Sequence, residues 1–155
     1  MVVEHGSVIA AAHRPQAGEI STRKFDGSPY VIKDRAPRVI VMSFMASWCG
    51  PCQKELPTLQ GFYASSDRDQ VDVIGVDTKD GSAEGAQQWL AENHVSFPAI
   101  YDENGRTGLQ LGQLAIELPS SVLIDRRGRI AAVYLGALSA PDLARSVEGL
   151  LAESA

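Results

Sequence analysis

One junction between two kinds of periodicity constrains the fold of this chain more than any other feature. Residues 37–45 form a nearly continuous apolar run rich in β-branched side chains, which is the pattern of a strand buried on both faces. Directly after Trp48 the apolar spacing becomes that of one helical face, at Cys52, Leu56, Leu59 and Tyr63. A buried strand that leads straight into a helix is typical of α/β domains, and both cysteines of the chain stand at this junction.

The same alternation continues along the chain. Residues 71–77 predict a second buried strand, residues 82–93 a helix and residues 97–101 a third strand. Two consecutive βαβ units imply parallel strands, so we expect an α/β fold with a central sheet flanked by helices on both faces. The other predicted elements are an N-terminal β-hairpin that turns at residues 25–28, a short helix over 106–114, a hairpin of residues 120–125 and 129–135, and a final helix that begins at Ser139.

Length and charge exclude several classes of function. The 155 residues suit one core, and we expect a single domain over residues 18–155 after a disordered tail over 1–17. The net charge is −5 and no basic stripe occurs, which disfavours a nucleic-acid partner. No apolar run approaches the roughly 20 residues that span a bilayer, and the apolar stretch at 8–12 is too short for an export signal. We expect a monomer.

The spacing of Cys49 and Cys52 leaves three uses open: a metal site, a structural bridge or a redox pair. Structural zinc generally takes four ligands, and the histidines of the chain show no ligand spacing relative to the cysteines. A disulfide that closes so short a loop stabilises a fold little. A CxxC motif between a strand and a helix favours thiol–disulfide exchange, and we expect no metal.

The position of the pair predicts different roles for its two members. At a helix N-terminus, free N–H groups and the helix dipole stabilise a thiolate and lower the pKa of a cysteine thiol. We therefore expect Cys49 to be exposed and nucleophilic. Cys52, one turn later on the buried face, should be the shielded resolving thiol, and Pro51 suits the first turn of the helix.

Four segments of the chain, residues 39–57, 73–80, 95–105 and 118–130, together resemble thioredoxin-fold thiol–disulfide oxidoreductases of the TlpA/ResA-like family. Within that family they are similar to the actinobacterial reductases of cytochrome c maturation. The resemblance implies a thioredoxin fold with a βα insertion after the second predicted strand. It also implies that the cysteine disulfide is the redox centre, with no further cofactor.

The resemblance also implies a substrate groove beside the cysteines. It makes Pro119 a cis proline that faces the pair and leaves the backbone of Leu118 free to bond to an extended substrate segment. Trp48 would form one wall of this groove, although core packing is the alternative for that side chain. Gly50 and Pro51 complete the predicted substrate-binding residues.

Proton handling departs from the usual thioredoxin pattern. Thioredoxins carry a buried aspartate six residues before the first cysteine, where this chain has Ser43. The resemblance suggests Asp80, with Glu117 nearby, as a proton relay instead. For Asp80 the alternative is a solvated loop residue or the cap of the following helix, and we expect Glu55 to face solvent.

We therefore predict a thiol–disulfide oxidoreductase that reduces protein disulfides, with the haem-attachment cysteines of an apocytochrome c as the proposed substrate. A peroxiredoxin-like peroxidase is disfavoured because Met42 and Ala46 replace the proline and the threonine or serine of P-x-x-x-[TS]-x-x-C. A copper or thiol chaperone without turnover is a further alternative. Gly-Pro between the cysteines is typical of reductants such as thioredoxin. This function implies a membrane thiol electron donor and an extracytoplasmic location, as the soluble part of an anchored protein; a cytoplasmic location is the alternative.

Overall fold

The structure is a computed structural model that describes residues 6–111 and 117–155. Its main sheet has five strands in the order β5-β4-β3-β6-β7, in which β3, β4 and β5 are parallel and β6 and β7 are antiparallel. The strands of this sheet are β3 (Val39–Met45), β4 (Val71–Thr78), β5 (Ala99–Asp102), β6 (Ser120–Ile124) and β7 (Ile130–Leu135). The N-terminal hairpin is β1 (Ser21–Arg23) with β2 (Pro29–Val31), and the helices are α1 (Gly50–Ser65), α2 (Ala83–Glu92), α3 (Arg106–Gln110) and α4 (Ala140–Leu151).

The two strands with the longest apolar runs occupy the middle of the sheet. Every residue of β3 and β4 is buried, as expected for strands that are covered on both faces. Alternate residues of β3 point to opposite faces, so Val41 and Met45 join one core cluster and Met42 and Phe44 join the other. The predicted central strand is thus confirmed, and its C-terminal end presents the cysteine motif at one edge of the sheet.

Helices flank both faces of the sheet, as predicted, but unequally. Buried side chains of α1, α2 and α4 share one core cluster. Both βαβ crossovers have the usual right-handed sense and advance in the same direction across the sheet, which places α1 and α2 on the same face. The opposite face is covered by the hairpin and by Leu111 at the end of α3. The predicted helix over 106–114 ends at Gln110, and residues 112–114 lie outside the described residues.

Serine hydroxyls cap the starts of two helices, of which only the Ser139 cap was predicted. The Ser82 hydroxyl accepts the N–H of Gly85 at 3.0 Å and begins α2, so Asp80 is not the cap of this helix. The Ser139 hydroxyl accepts the N–H of Asp142 at 3.2 Å and begins α4. These local bonds fix the helix starts independently of the wider packing.

The disordered tail predicted over 1–17 is wrong for residues 6–17; residues 1–5 lie outside the described residues. The segment runs along β7, which would otherwise be an open sheet edge. The N–H of Gly6 donates to the Val133 carbonyl at 2.9 Å, and the N–H of Ile9 donates to the Ala131 carbonyl at 2.7 Å. These hydrogen bonds satisfy carbonyl groups on the open edge of β7, a need that the composition of the segment does not reveal.

A buried arginine fastens this segment to the end of the chain. The guanidinium of Arg14, with 2% of its side chain exposed, contacts Asp125 at 3.0 Å and Glu153 at 2.6 Å. Asp125 also accepts a hydrogen bond from Arg129 at 2.9 Å. Hydrogen bonding to Glu153 is the main reason that the pKa of Arg14 is raised, so the buried cation is fully compensated.

Candidate active site

The two cysteines form a disulfide at the start of α1, just beyond the C-terminal end of β3. Cys49 is the N-cap of the helix, and its sulfur accepts the N–H of Cys52 at 3.2 Å. The exposed fraction is 6% for Cys49 and 1% for Cys52, so Cys52 is the better shielded, as predicted. The prediction of an exposed Cys49 is wrong for this disulfide form, because the bond to Cys52 holds its sulfur against the helix.

The residues around the disulfide form an accessible surface. Gly50 and Pro51 are exposed, and Trp48 has 62% of its surface open. The indole N–H of Trp48 donates to the carbonyl of Lys79 at 3.2 Å. Trp48 is therefore held outside the core, and the alternative of core packing for this side chain is wrong.

The chain segment before β6 supplies the other side of this surface. The Leu118–Pro119 peptide bond is cis, as the resemblance implied. Leu118 is half-buried and packs against the core cluster that contains both cysteines, while the Pro119 carbonyl accepts the N–H of Gly136 at 2.8 Å. Among the described residues, neither the N–H nor the carbonyl of Leu118 has a hydrogen-bond partner. Within the described part of the chain, this backbone is available to bond to another extended segment.

A buried carboxyl group lies one turn after Cys52, where the sequence predicted a solvent-facing side chain. Only 3% of Glu55 is exposed, so that prediction is wrong. Its carboxyl group accepts the N–H of Leu138 and, at 3.2 Å, the hydroxyl of Ser43. Burial raises the pKa of Glu55, although both hydrogen bonds oppose the rise. The spacing of three residues from Cys52 puts Glu55 on the buried helical face, and this was the signal that could have identified it.

Two further carboxyl groups lie under the turn that precedes Cys49. The Asp80 carboxylate accepts the N–H of Ser47 at 3.0 Å and its hydroxyl at 2.6 Å, and only 5% of Asp80 is exposed. Burial opposes ionisation of Asp80, but its interaction with Asp77 and the hydrogen bonds from Ser47 outweigh burial and lower its pKa. Asp77 is fully buried, and burial followed by the proximity of Asp80 raises its pKa to about 9.

The proton relay predicted for Asp80 and Glu117 stays a prediction. Asp80 bonds to Ser47 rather than to either sulfur, and Glu117 is exposed in the segment before Pro119. The structure thus brings Trp48, the cysteines, Leu118 and Pro119 to one end of the sheet, with Asp80 beneath the turn.

Comparison with known proteins now places this site in a family. The family model described as Redoxin matches residues 2–151. The chain belongs to the Redoxin family. This redoxin is also 27% identical over 141 residues to the sporulation thiol-disulfide oxidoreductase A of Bacillus subtilis, an alignment that covers 89% of the chain and 84% of that protein.

A second relative and a solved structure agree with this placement. The thiol-disulfide oxidoreductase ResA of Oceanobacillus iheyensis is 28% identical over 120 residues, which cover 76% of the chain but only 60% of that relative's length. A secreted thiol-disulfide isomerase from Corynebacterium glutamicum superposes with a TM-score of 0.84 at 26% identity, covering 94% of the chain and 91% of that structure. The predicted thioredoxin-like fold and family are confirmed, and this redoxin is a thiol–disulfide oxidoreductase that carries a Cys49–Cys52 disulfide.

Metal sites and membrane spans are two further features that bear on function. Within residues 6–111 and 117–155, no three histidine, cysteine or acidic side chains converge as metal ligands do. None of the helices in these same ranges combines the length and apolar character needed to cross a bilayer.

Proposed function

We propose that this redoxin is a protein-disulfide reductase that acts outside the cytoplasm on the oxidised CxxCH haem-attachment motif of an apocytochrome c. The observation that carries the proposal is the arrangement around the disulfide. Exposed Trp48 flanks the pair, and the backbone of Leu118, which has no partner within residues 6–111 and 117–155, lies where an extended segment can add to it. Such a groove suits a peptide chain rather than a small molecule.

The first chemical step is attack on the substrate. The reduced Cys49 thiolate, stabilised by the N–H of Cys52 and the start of α1, attacks one sulfur of the substrate disulfide. The Cys49–substrate bond forms, the substrate disulfide breaks, and the second substrate sulfur leaves as a thiolate that takes up a proton. Pro51, Gly50 and Pro119 would shape the surface that receives the substrate.

The second step releases the product. Cys52 gives its thiol proton to a base, and its thiolate attacks Cys49, which closes the Cys49–Cys52 disulfide and expels the reduced substrate. We propose Glu55 as that base, because it is buried on the same helical face one turn away and burial raises its pKa. Ser43, which stands where thioredoxins carry their buried aspartate, then orients the Glu55 carboxyl group through its hydroxyl.

Each turnover leaves the chain oxidised and in need of two electrons and two protons. A membrane thiol donor would supply both, by the same exchange in reverse. The Gly-Pro pair between the cysteines supports a reducing direction, since thioredoxin, at about −270 mV, is far more reducing than DsbA, at about −120 mV. No cofactor other than the disulfide is required for this cycle.

The proposed location follows the substrate. Haem-attachment motifs that need reduction occur in exported apocytochromes, and the structurally similar Corynebacterium glutamicum isomerase is a secreted protein. We propose a monomeric domain of an anchored protein that faces the outside of the cytoplasmic membrane, with a cytoplasmic location as the alternative.

The test uses the purified chain and an oxidised peptide with a CxxCH motif. The reduced chain should reduce the peptide stoichiometrically, and Cys52→Ser should stop at a mixed disulfide on Cys49 that mass spectrometry detects. Cys49→Ser should form no adduct, which is the matched control. Reduction should be faster than for glutathione disulfide, which cannot fill the groove.

Direction is tested by equilibration of the chain with glutathione buffers. A potential near that of thioredoxin supports the reductase, whereas a value more positive than about −180 mV would contradict it. Equal rates with the CxxCH peptide and with glutathione disulfide would contradict the proposed substrate. Peroxide consumption that persists in Cys52→Ser would instead favour the peroxidase.

A further inference from the structure

Asp77 is a fully buried carboxyl group that the exchange reaction does not use. It is the second-last residue of β4, where it pairs with Met45 of β3 and Tyr101 of β5. Along β4 it lies on the same face as Val73, which is the face that α1 covers. Among the described residues, neither carboxylate oxygen of Asp77 accepts a hydrogen bond. A buried polar group without a partner is costly, so this residue requires a physical explanation.

The neighbour of Asp77 is another acid. Asp80 follows three residues later, after Lys79, whose backbone lies in the left-handed region at a φ of 59°. Two ionised carboxylates can only accept hydrogen bonds and would repel each other. As a carboxylic acid, Asp77 gains one O–H donor, and the Asp80 oxygens keep free lone pairs for it. Protonation of Asp77 therefore gives its carboxyl group a hydrogen-bond partner in Asp80 and removes the repulsion between the two acids.

No cation in the described part of the chain offers another solution. The side chain of Lys79 passes close to Gly105, where the Cβ of any other residue would lie 3.3 Å from the Lys79 Cε, and Lys79 makes no ion pair within the described residues. The other titratable groups around Asp77 are Tyr101 on β5, whose hydroxyl donates to the Asp80 carbonyl at 3.0 Å, and the cysteines and Glu55 on α1, which covers this face. None of these side chains carries a positive charge.

The acid pair is connected to the cysteines through one turn. Asp80 holds both the N–H and the hydroxyl of Ser47, and the Lys79 carbonyl holds the indole of Trp48. Ser47 and Trp48 directly precede Cys49. Three hydrogen bonds from the 79–80 loop thus set the position of the turn from which Cys49 enters the helix.

We propose that Asp77 is a positioning residue: as an acid it donates a hydrogen bond to Asp80, and the pair holds the Ser47–Trp48 turn that places Cys49. Loss of the shared proton puts two charges in this buried space, and the turn loosens. The functional role of the Asp77–Asp80 pair rests on the proposed reductase activity, because the pair acts on the dithiol. The titration of Asp77 requires no protein substrate and is measured separately.

A pH dependence follows from this arrangement. The pKa of Asp77 is raised to about 9 by burial and by Asp80, so the pair keeps its proton at neutral pH and loses it in mildly alkaline solution. In the oxidised protein the cysteines do not titrate, which removes their contribution from this range. Burial raises the pKa of Tyr101 above its ordinary value, so Tyr101 ionises at a higher pH than Asp77.

The experiment uses the oxidised full chain with Trp89→Phe, which leaves Trp48 as the single tryptophan. Carboxyl carbon NMR and Trp48 emission are recorded between about pH 6 and 10. We expect one aspartate carboxyl to titrate far above the ordinary range, and the emission to change with the same midpoint. Reduction of the disulfide by a phosphine should accelerate across that transition, since the turn that covers Cys49 loosens.

Three variants in this background identify the group. Asp77→Asn, whose amide still donates but does not titrate, should lose the transition and keep the low-pH emission. Asp80→Asn should move the remaining Asp77 titration to lower pH, because the neighbouring charge is gone. Glu55→Gln removes the other carboxyl of raised pKa and should leave the transition in place.

Three results would overturn the role of Asp77. An Asp77 carboxyl that titrates in the ordinary aspartate range of the unsubstituted chain would overturn the proposal even if Asp77→Asn failed to fold. An emission transition that persists in folded Asp77→Asn would overturn it equally. Loss of the transition in Glu55→Gln would assign it to Glu55 and would also contradict the role of Asp77.

Discussion

Replacement of Asp77 by asparagine should change how the stability of this redoxin depends on pH. In the unfolded chain an aspartate titrates near pH 3.9, whereas burial and Asp80 raise the pKa of Asp77 to about 9 in the folded state. Between these values the folded chain binds one proton more than the unfolded chain. The free energy of unfolding therefore falls as pH rises, and the contribution of Asp77 is complete only below its unfolded pKa.

The size of the effect follows from the proton count. One extra bound proton corresponds to a slope of about 1.4 kcal/mol per pH unit. Between pH 5 and 7 this amounts to about 2.7 kcal/mol, because the folded pKa lies above this range and the unfolded pKa lies below it. The lowered pKa of Asp80 acts with opposite sign near pH 4 and below, and the raised pKa of Glu55 acts equally in both proteins. The difference between wild type and Asp77→Asn isolates Asp77.

The assay is urea denaturation of both oxidised proteins at pH 5, 6 and 7, so that no thiol titrates. The wild-type free energy of unfolding should decline by about 2.7 kcal/mol more than that of Asp77→Asn over this range. Parallel curves for the two proteins would refute the argument, since they would mean that Asp77 is ionised in the folded state.

Two further changes test other parts of the structure. Glu55→Gln keeps an acceptor for the Leu138 N–H but removes the base, so release of the mixed disulfide by Cys52 should slow about 100-fold while the first attack is unchanged. Stopped-flow measurements follow both steps, and wild-type rates in both would exclude Glu55 as the base. Arg14→Met should lower the free energy of unfolding in urea by about 3 kcal/mol, because buried Asp125 then keeps only its bond to Arg129 and Glu153 loses its bond to Arg14. Arg145→Met, in an exposed pair, should cost at most about 0.5 kcal/mol, and similar losses for both variants would contradict the buried role of Arg14.

The fold was predictable wherever the signal was local. The period change after Trp48 located the junction of β3 and α1, and Ser82 and Ser139 marked two helix starts. These signals depend on residues within one or two turns of each other, so the sequence contains them directly. The order of the N-terminal segment could not be predicted in this way, because Arg14 pairs with Asp125 and Glu153, which lie far along the chain.

The chain's sequence alone determined the chemistry of the site. Two cysteines separated by Gly-Pro at a helix start predict thiol–disulfide exchange, since spacing and helix polarity act over a few residues. The surroundings of the pair were decided only by the tertiary structure. A glutamate on a helix looks solvent-facing until the Leu138 N–H, supplied 83 residues later, and Ser43 enclose Glu55. Asp77 likewise becomes an acid only because the sheet buries it beside Asp80, and burial is a property of the packed core rather than of any short stretch of chain.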